Sequence, residues 1–194
     1  MQPRAEMVHW FFAAGILFIG LCLFCEAIVG TEVWRMRPWR AYLWPGVAFA
    51  LGVFLWPVMA LYTNSAIHMY AHGSWAEVLM AAGGSELALV RGRLTSPWWR
   101  LTWPLAFVVT GTAFLVHEQN SWLFARSAFL HHTLGWTFVA MAAFPLALIW
   151  RPSSPALRTG FALMVVVVSV QLFSDRDVAP IFGHLSPVAG APHR

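Results

Sequence analysis

The chain has no lysine, and only 10% of its 194 residues are charged. Soluble domains carry about 25% charged residues, so a water-facing globular surface is excluded. The net charge of +4 rests on 12 arginines. These lie between apolar runs rather than along a basic helix interleaved with surface aromatics, which argues against nucleic-acid binding. There are only two cysteines, Cys22 and Cys25, at i, i+3 inside the first apolar run. That spacing suits two small residues packing in a helix better than a metal or redox pair. Only Arg4 precedes the first run as a charge of its sign, and no small-residue cleavage site follows it. It reads as an uncleaved span rather than a signal peptide. Internal repeats and low-complexity tracts are missing too.

What the chain has is apolar surface: 59% hydrophobic residues and a mean hydropathy of +0.65. Residues 1–194 are expected to form a single all-α integral membrane domain, a bundle of six or five transmembrane helices. Spans are expected near 8–30, 43–67, 101–117, 129–150 and 156–174, with Pro57 as a tolerated kink in the second. The linkers are short and rich in Arg, Pro and Trp. Of the 12 tryptophans, Trp34, Trp39, Trp44, Trp98, Trp99 and Trp150 lie near linker arginines, as in an aromatic belt at headgroup level.

Segment 75–90 decides the span count. It contains Glu77, Glu86 and the Gly83-Gly84 pair, so its hydropathy is marginal. As a helix lying in the interface it leaves five spans. The arginines then divide evenly, with Arg4, Arg91, Arg93, Arg100, Arg151 and Arg158 facing Arg35, Arg37, Arg40, Arg126, Arg176 and Arg194. As a sixth span it leaves only Arg4, Arg126, Arg176 and Arg194 on one face and the rest on the other. The six-span reading obeys the positive-inside rule with both termini outside, and it gathers all eight histidines on the outer face.

Imidazole is the commonest side-chain ligand for copper, zinc and haem iron. His68 and His72 stand at i, i+4, one turn apart on one helix face, with Met69 beside them as a soft thioether. His117 and Glu118 close one span, and His131 and His132 open the next across a short hairpin loop. Adjacent histidines point roughly 100° apart on a helix, so one of that pair faces His117. His9 opens the first span and His184 can fold back over the layer, while His193 belongs to the tail. Glu26, about a turn inside the far end of the first span, needs a partner at such depth, and a linker arginine such as Arg35 would supply it. Ser174-Asp175-Arg176-Asp177 reads as a solvated, self-paired cap.

Ser65-Ala66-Ile67-His68-Met69-Tyr70-Ala71-His72, followed by Leu87-Ala88-Leu89-Val90-Arg91-Gly92-Arg93-Leu94, resembles the membrane assembly factors of caa3-type cytochrome c oxidase. The stretch from His117 to Trp122, followed by His131-His132, is similar to that family in outline. The resemblance covers roughly 68–150. Family chains are longer, with more spans, and their later histidines are spaced rather than adjacent. The resemblance implies that the segment after His72 crosses the membrane. It also implies copper handling during oxidase assembly, in a bacterial inner membrane, between a metal donor and a client membrane protein.

The leading expectation is a non-catalytic membrane protein that holds copper through His68, His72, His117 and His131 or His132, with Met69 as a further ligand. A haem b electron carrier is the alternative, with two histidines on facing helices as axial ligands. A di-iron oxidase would need more imidazoles, and Ala128 stands where such a motif wants histidine. The remaining alternative is a structural subunit of a larger respiratory complex, with the lipid bilayer as its main partner.

Overall fold

In lipid every backbone N–H and C=O must find an internal partner, so an apolar run becomes a helix or joins a closed barrel. Here the runs become helices. The computed structural model describes residues 4–62, 66–116 and 125–176, with the backbone alone for 66–68, 70–71 and 125–127. The helices are α1 (Ala5–Val29), α2 (Thr31–Arg35), α3 (Leu43–Tyr62), α4 (Ala66–Val90), α5 (Thr102–Val116), α6 (Ala125–Met141), α7 (Ala143–Trp150) and α8 (Pro155–Phe173). Short 3₁₀ turns, Pro38–Tyr42 and Pro97–Leu101, lead into α3 and α5.

Among the described residues, five segments are long and apolar enough to cross a membrane: Ala5–Val29, Pro38–Tyr62, Pro97–Val116, Ala128–Trp150 and Pro155–Phe173. One boundary differs from expectation. The second span was placed at 43–67, but α3 stops at Tyr62, and Ile67 and His68 belong to α4. Between them the sequence reads Thr63-Asn64-Ser65, outside the described residues. Short polar side chains of this kind compete for backbone hydrogen bonds and favour helix ends.

Local chemistry explains the other punctuation. Gly30 ends α1 at φ +84°, a backbone conformation that suits glycine. Pro145 has no N–H for the Met141 carbonyl, and the helix is interrupted at Ala142 between α6 and α7. Pro57 is accommodated inside a continuous α3. Pro155 occupies the first turn of α8, where its missing N–H costs nothing, and Ser154 Oγ accepts from the Leu157 amide at 3.4 Å.

Successive long helices pack antiparallel, and small residues set the spacing. Gly52 of α3 lies against Ala76 and Met80 of α4, while Gly83 of α4 lies against Pro45 and Phe49 of α3. A Cβ on Gly83 would fall 2.7 Å from the Phe49 nitrogen. Gly73 of α4 faces Trp56 and Met59 toward the other end of α3, so α4 lies lengthwise along α3. Between α5 and α6 the contact is Gly111 on Gly135, where a Cβ on Gly111 would fall 2.7 Å from the Gly135 carbonyl oxygen.

Polar bonds join the remaining neighbours. Ser85 and Thr102 hydroxyls meet at 2.6 Å between α4 and the start of α5. Gln171 Nε2 donates to Thr137 Oγ1 at 2.9 Å between α8 and α6. The buried Ser169 hydroxyl of α8 donates to the Ala13 carbonyl of α1 at 2.8 Å. Phe11 of α1 packs on Phe54 of α3 with ring centres 4.5 Å apart. Inside the circuit Phe107 of α5 sits 6.1 Å from Phe138 and 5.8 Å from Phe161.

Antiparallel order has a direct consequence. The starts of α1, α4 and α6 share one end with the finishes of α5 and α8, and the described histidines, at positions 9, 68, 72, 131 and 132, sit there. The linkers rich in arginine collect at the other end.

Candidate functional site

His9, in the second turn of α1, is the best-defined histidine. Its Nδ1 lies 2.5 Å from Asp175 Oδ2, just beyond α8. An ionised carboxylate only accepts, so the Nδ1–H donates, and Nε2 is the ring nitrogen not engaged by Asp175. The Trp10 indole donates to the Asp175 carbonyl at 3.1 Å, so two consecutive residues of α1 hold the end of α8. Asp175 is 5% exposed.

His131 of α6 is as deeply covered. Its ring centre lies 6.2 Å from that of His9, with the planes at 70°. Phe114 of α5 packs 5.3 Å from the His131 ring and stacks on Trp75 of α4 at 4.1 Å. Trp75 in turn meets the edge of His72, ring centres 4.2 Å apart. His72 is buried. Three histidines from helices remote in sequence thus occupy one layer, connected through aromatic rings, with a buried carboxylate behind one of them.

The expected metal residues divide. The fold brings His9, His72 and His131 into this layer. His132 is exposed, as the roughly 100° between adjacent helical residues requires once His131 turns inward. Met69 is exposed as well. His68 has only its backbone described, on the first turn of α4. His117, Glu118, His184 and His193 lie outside the described residues. Among the described residues no group of three His, Cys, Asp or Glu side chains is close enough to hold a metal ion.

Two pairings differ from expectation. Asp175 is not a solvated cap paired with Arg176; it turns inward to His9. Arg176 instead takes the backbone acceptors left at the end of α8, donating to the Phe173 and Asp175 carbonyls at 2.6 and 2.7 Å. Its guanidinium also lies 5.3 Å from the Trp10 ring centre. Glu26 pairs with Arg158 at 3.9 Å rather than with Arg35, because antiparallel packing sets the end of α1 against the start of α8. Cys22 is buried and Cys25 exposed, both as free thiols.

Sequence reasoning assigned Asp175 to a self-paired cap rather than to His9 and did not single out Trp10. The available signal was a carboxylate on the histidine face at the end of the last span. Comparison with protein-family models, curated proteins and solved structures gave no match.

Proposed function

We propose that this chain is a multi-pass membrane protein that binds copper at its histidine end and passes it to a membrane-bound copper enzyme, such as a respiratory oxidase under assembly. The observation that carries this reading is the His9–His131 pair with Asp175 behind His9. Ligating histidines commonly donate their other ring N–H to a carboxylate, which fixes the tautomer and the ring orientation. With metal–nitrogen bonds of about 2.0–2.1 Å, two imidazoles on opposite sides of one ion have ring centres about 6 Å apart. Imidazole accepts copper in either oxidation state. His72, His68 and His117 are the further ligands this reading calls on, with Met69, Glu118, His132 and His184 as candidates around them.

In the same reading α4 is a sixth span, with both termini and the histidine end outside a bacterial inner membrane. Its 25 residues extend about 37 Å at 1.5 Å per residue, more than the hydrocarbon core of about 30 Å. Its lengthwise packing on α3 and the arginine distribution both support the crossing.

The test is the copper content and absorption spectrum of purified protein loaded with Cu(I). Wild type is expected to retain copper, and the double variant His9→Ala, His131→Ala to lose it. Asp175→Asn should lower affinity by roughly 10–100-fold. His68→Ala with His72→Ala measures the share contributed by α4. Full retention in the His9, His131 double variant would overturn the assignment. A Soret band without copper would replace it with haem b ligation.

A further inference from the structure

At the opposite end of the bundle lies a cavity of about 200 Å³. With about 30 Å³ per water, it has room for six or seven waters or a ligand of comparable size. Its lining carries five formal charges: Glu26, Glu86, Arg35, Arg100 and Arg158.

The charges are arranged unequally. Glu26 and Arg158 already form a pair at 3.9 Å. Glu86 is 8% exposed and has no hydrogen bond or ion pair to another described residue. Arg35 and Arg100 are exposed. The cavity therefore has a carboxyl group on its buried side and guanidinium groups at its mouth. It also holds two idle polar groups: Trp103 Nε1 and Thr31 Oγ1 line it, are covered, and have no partner. Burying a carboxylate and an indole N–H without partners is unfavourable, and a bound ligand with matching groups removes that cost.

We propose that the cavity binds a small zwitterion, with its oxyanion at Arg35 and Arg100 and its ammonium at Glu86, and that phosphoethanolamine is the chemistry it fits. Guanidinium groups match phosphate oxygens in a bidentate fork. An anion alone would leave Glu86 unpaired and facing a like charge. An α-amino acid carries both groups on one carbon and has no ester oxygen to accept from Trp103 Nε1. Phosphoethanolamine separates phosphorus and nitrogen by an oxygen and two carbons, and its ester oxygens can accept from Trp103. The source is either the soluble compound or the headgroup of phosphatidylethanolamine, since basic pockets between spans on the cytoplasmic side accept lipid headgroups.

The experiment uses the full chain in detergent. Calorimetric titration compares O-phosphoethanolamine, inorganic phosphate and ethanolamine. Native mass spectrometry then follows lipid retained from nanodiscs of phosphatidylethanolamine or phosphatidylglycerol. Wild type should bind O-phosphoethanolamine, or retain phosphatidylethanolamine, about tenfold or more tightly than the phosphate-only counterpart. Retention of the lipid alone assigns the headgroup as the source, and binding of the soluble compound alone assigns the free molecule. Glu86→Gln should erase the preference over phosphate, and Arg100→Gln should weaken both. Measurable and equal binding of phosphate and O-phosphoethanolamine by wild type overturns the proposal without recourse to any variant. Equal retention of the two lipids, or no binding in either format, overturns it as well.

Discussion

His9 Nδ1 and Asp175 Oδ2 lie 2.5 Å apart although 166 positions separate them in the chain. This bond fastens α1 to the end of α8, and the Ser169–Ala13 bond holds the same two helices together. It also orients one of the imidazoles in the proposed copper site, so stability and ligand geometry depend on the same contact.

Removing either partner should therefore cost stability. His9→Ala and Asp175→Ala are each expected to destabilise the protein by about 1.5–3 kcal/mol, the range for hydrogen bonds involving a charged group. The double variant should cost little more than either single one. Thermal unfolding in detergent, arranged as a double-mutant cycle, measures this, and simple additivity would contradict a direct coupling.

The α3–α4 contact tolerates no added volume at Gly83. Gly83→Leu should lower stability by about 1–3 kcal/mol or more, as overpacking does. Gly46→Ala, where nothing lies within 4 Å of the new Cβ, should leave the unfolding midpoint unchanged. Equal behaviour of the two variants would mean that α4 does not dock on α3 as described.

Topology can be read with single cysteines placed in a Cys22→Ala, Cys25→Ala background. In the six-span arrangement Met36→Cys, Thr95→Cys and Ser153→Cys react with an impermeant maleimide from one side, and Ser174→Cys from the other. If α4 does not cross, Met36→Cys and Thr95→Cys will label from opposite sides.

Ser169 makes a buried interhelical bond, but such bonds in membranes average only about 0.6 kcal/mol. Ser169→Ala should accordingly shift the unfolding midpoint only slightly, well short of Asp175→Ala. A loss as large as that of Asp175→Ala would show that the hydroxyl, not the His9–Asp175 bond, secures α8.

Much of the architecture was legible because lipid leaves the backbone few options. Long apolar runs had to become helices, and prolines and small polar residues marked their ends to within a few residues. The alternation of those helices placed the described histidines at one end and the linkers with Arg35, Arg37, Arg40, Arg91, Arg93, Arg100, Arg151 and Arg158 at the other. The boundary near Ile67 was misplaced because hydropathy alone registers Thr63-Asn64-Ser65 weakly, between apolar neighbours. Burial was less legible. Nothing in His131-His132 says which ring faces inward, since that depends on the rotation of α6 against α5 through Gly111 and Gly135.

The all-helical class of fold, and the end at which the described histidines lie, were thus determined by the sequence itself, through apolar length and the positions of the few polar residues. Which polar groups meet was decided only by the tertiary structure. Asp175 found His9 rather than Arg176, Glu26 found Arg158 rather than Arg35, and Glu86 came to face a cavity. Each outcome follows from antiparallel helix packing, which sets the end of one span against the start of another and brings together residues that local spacing cannot relate.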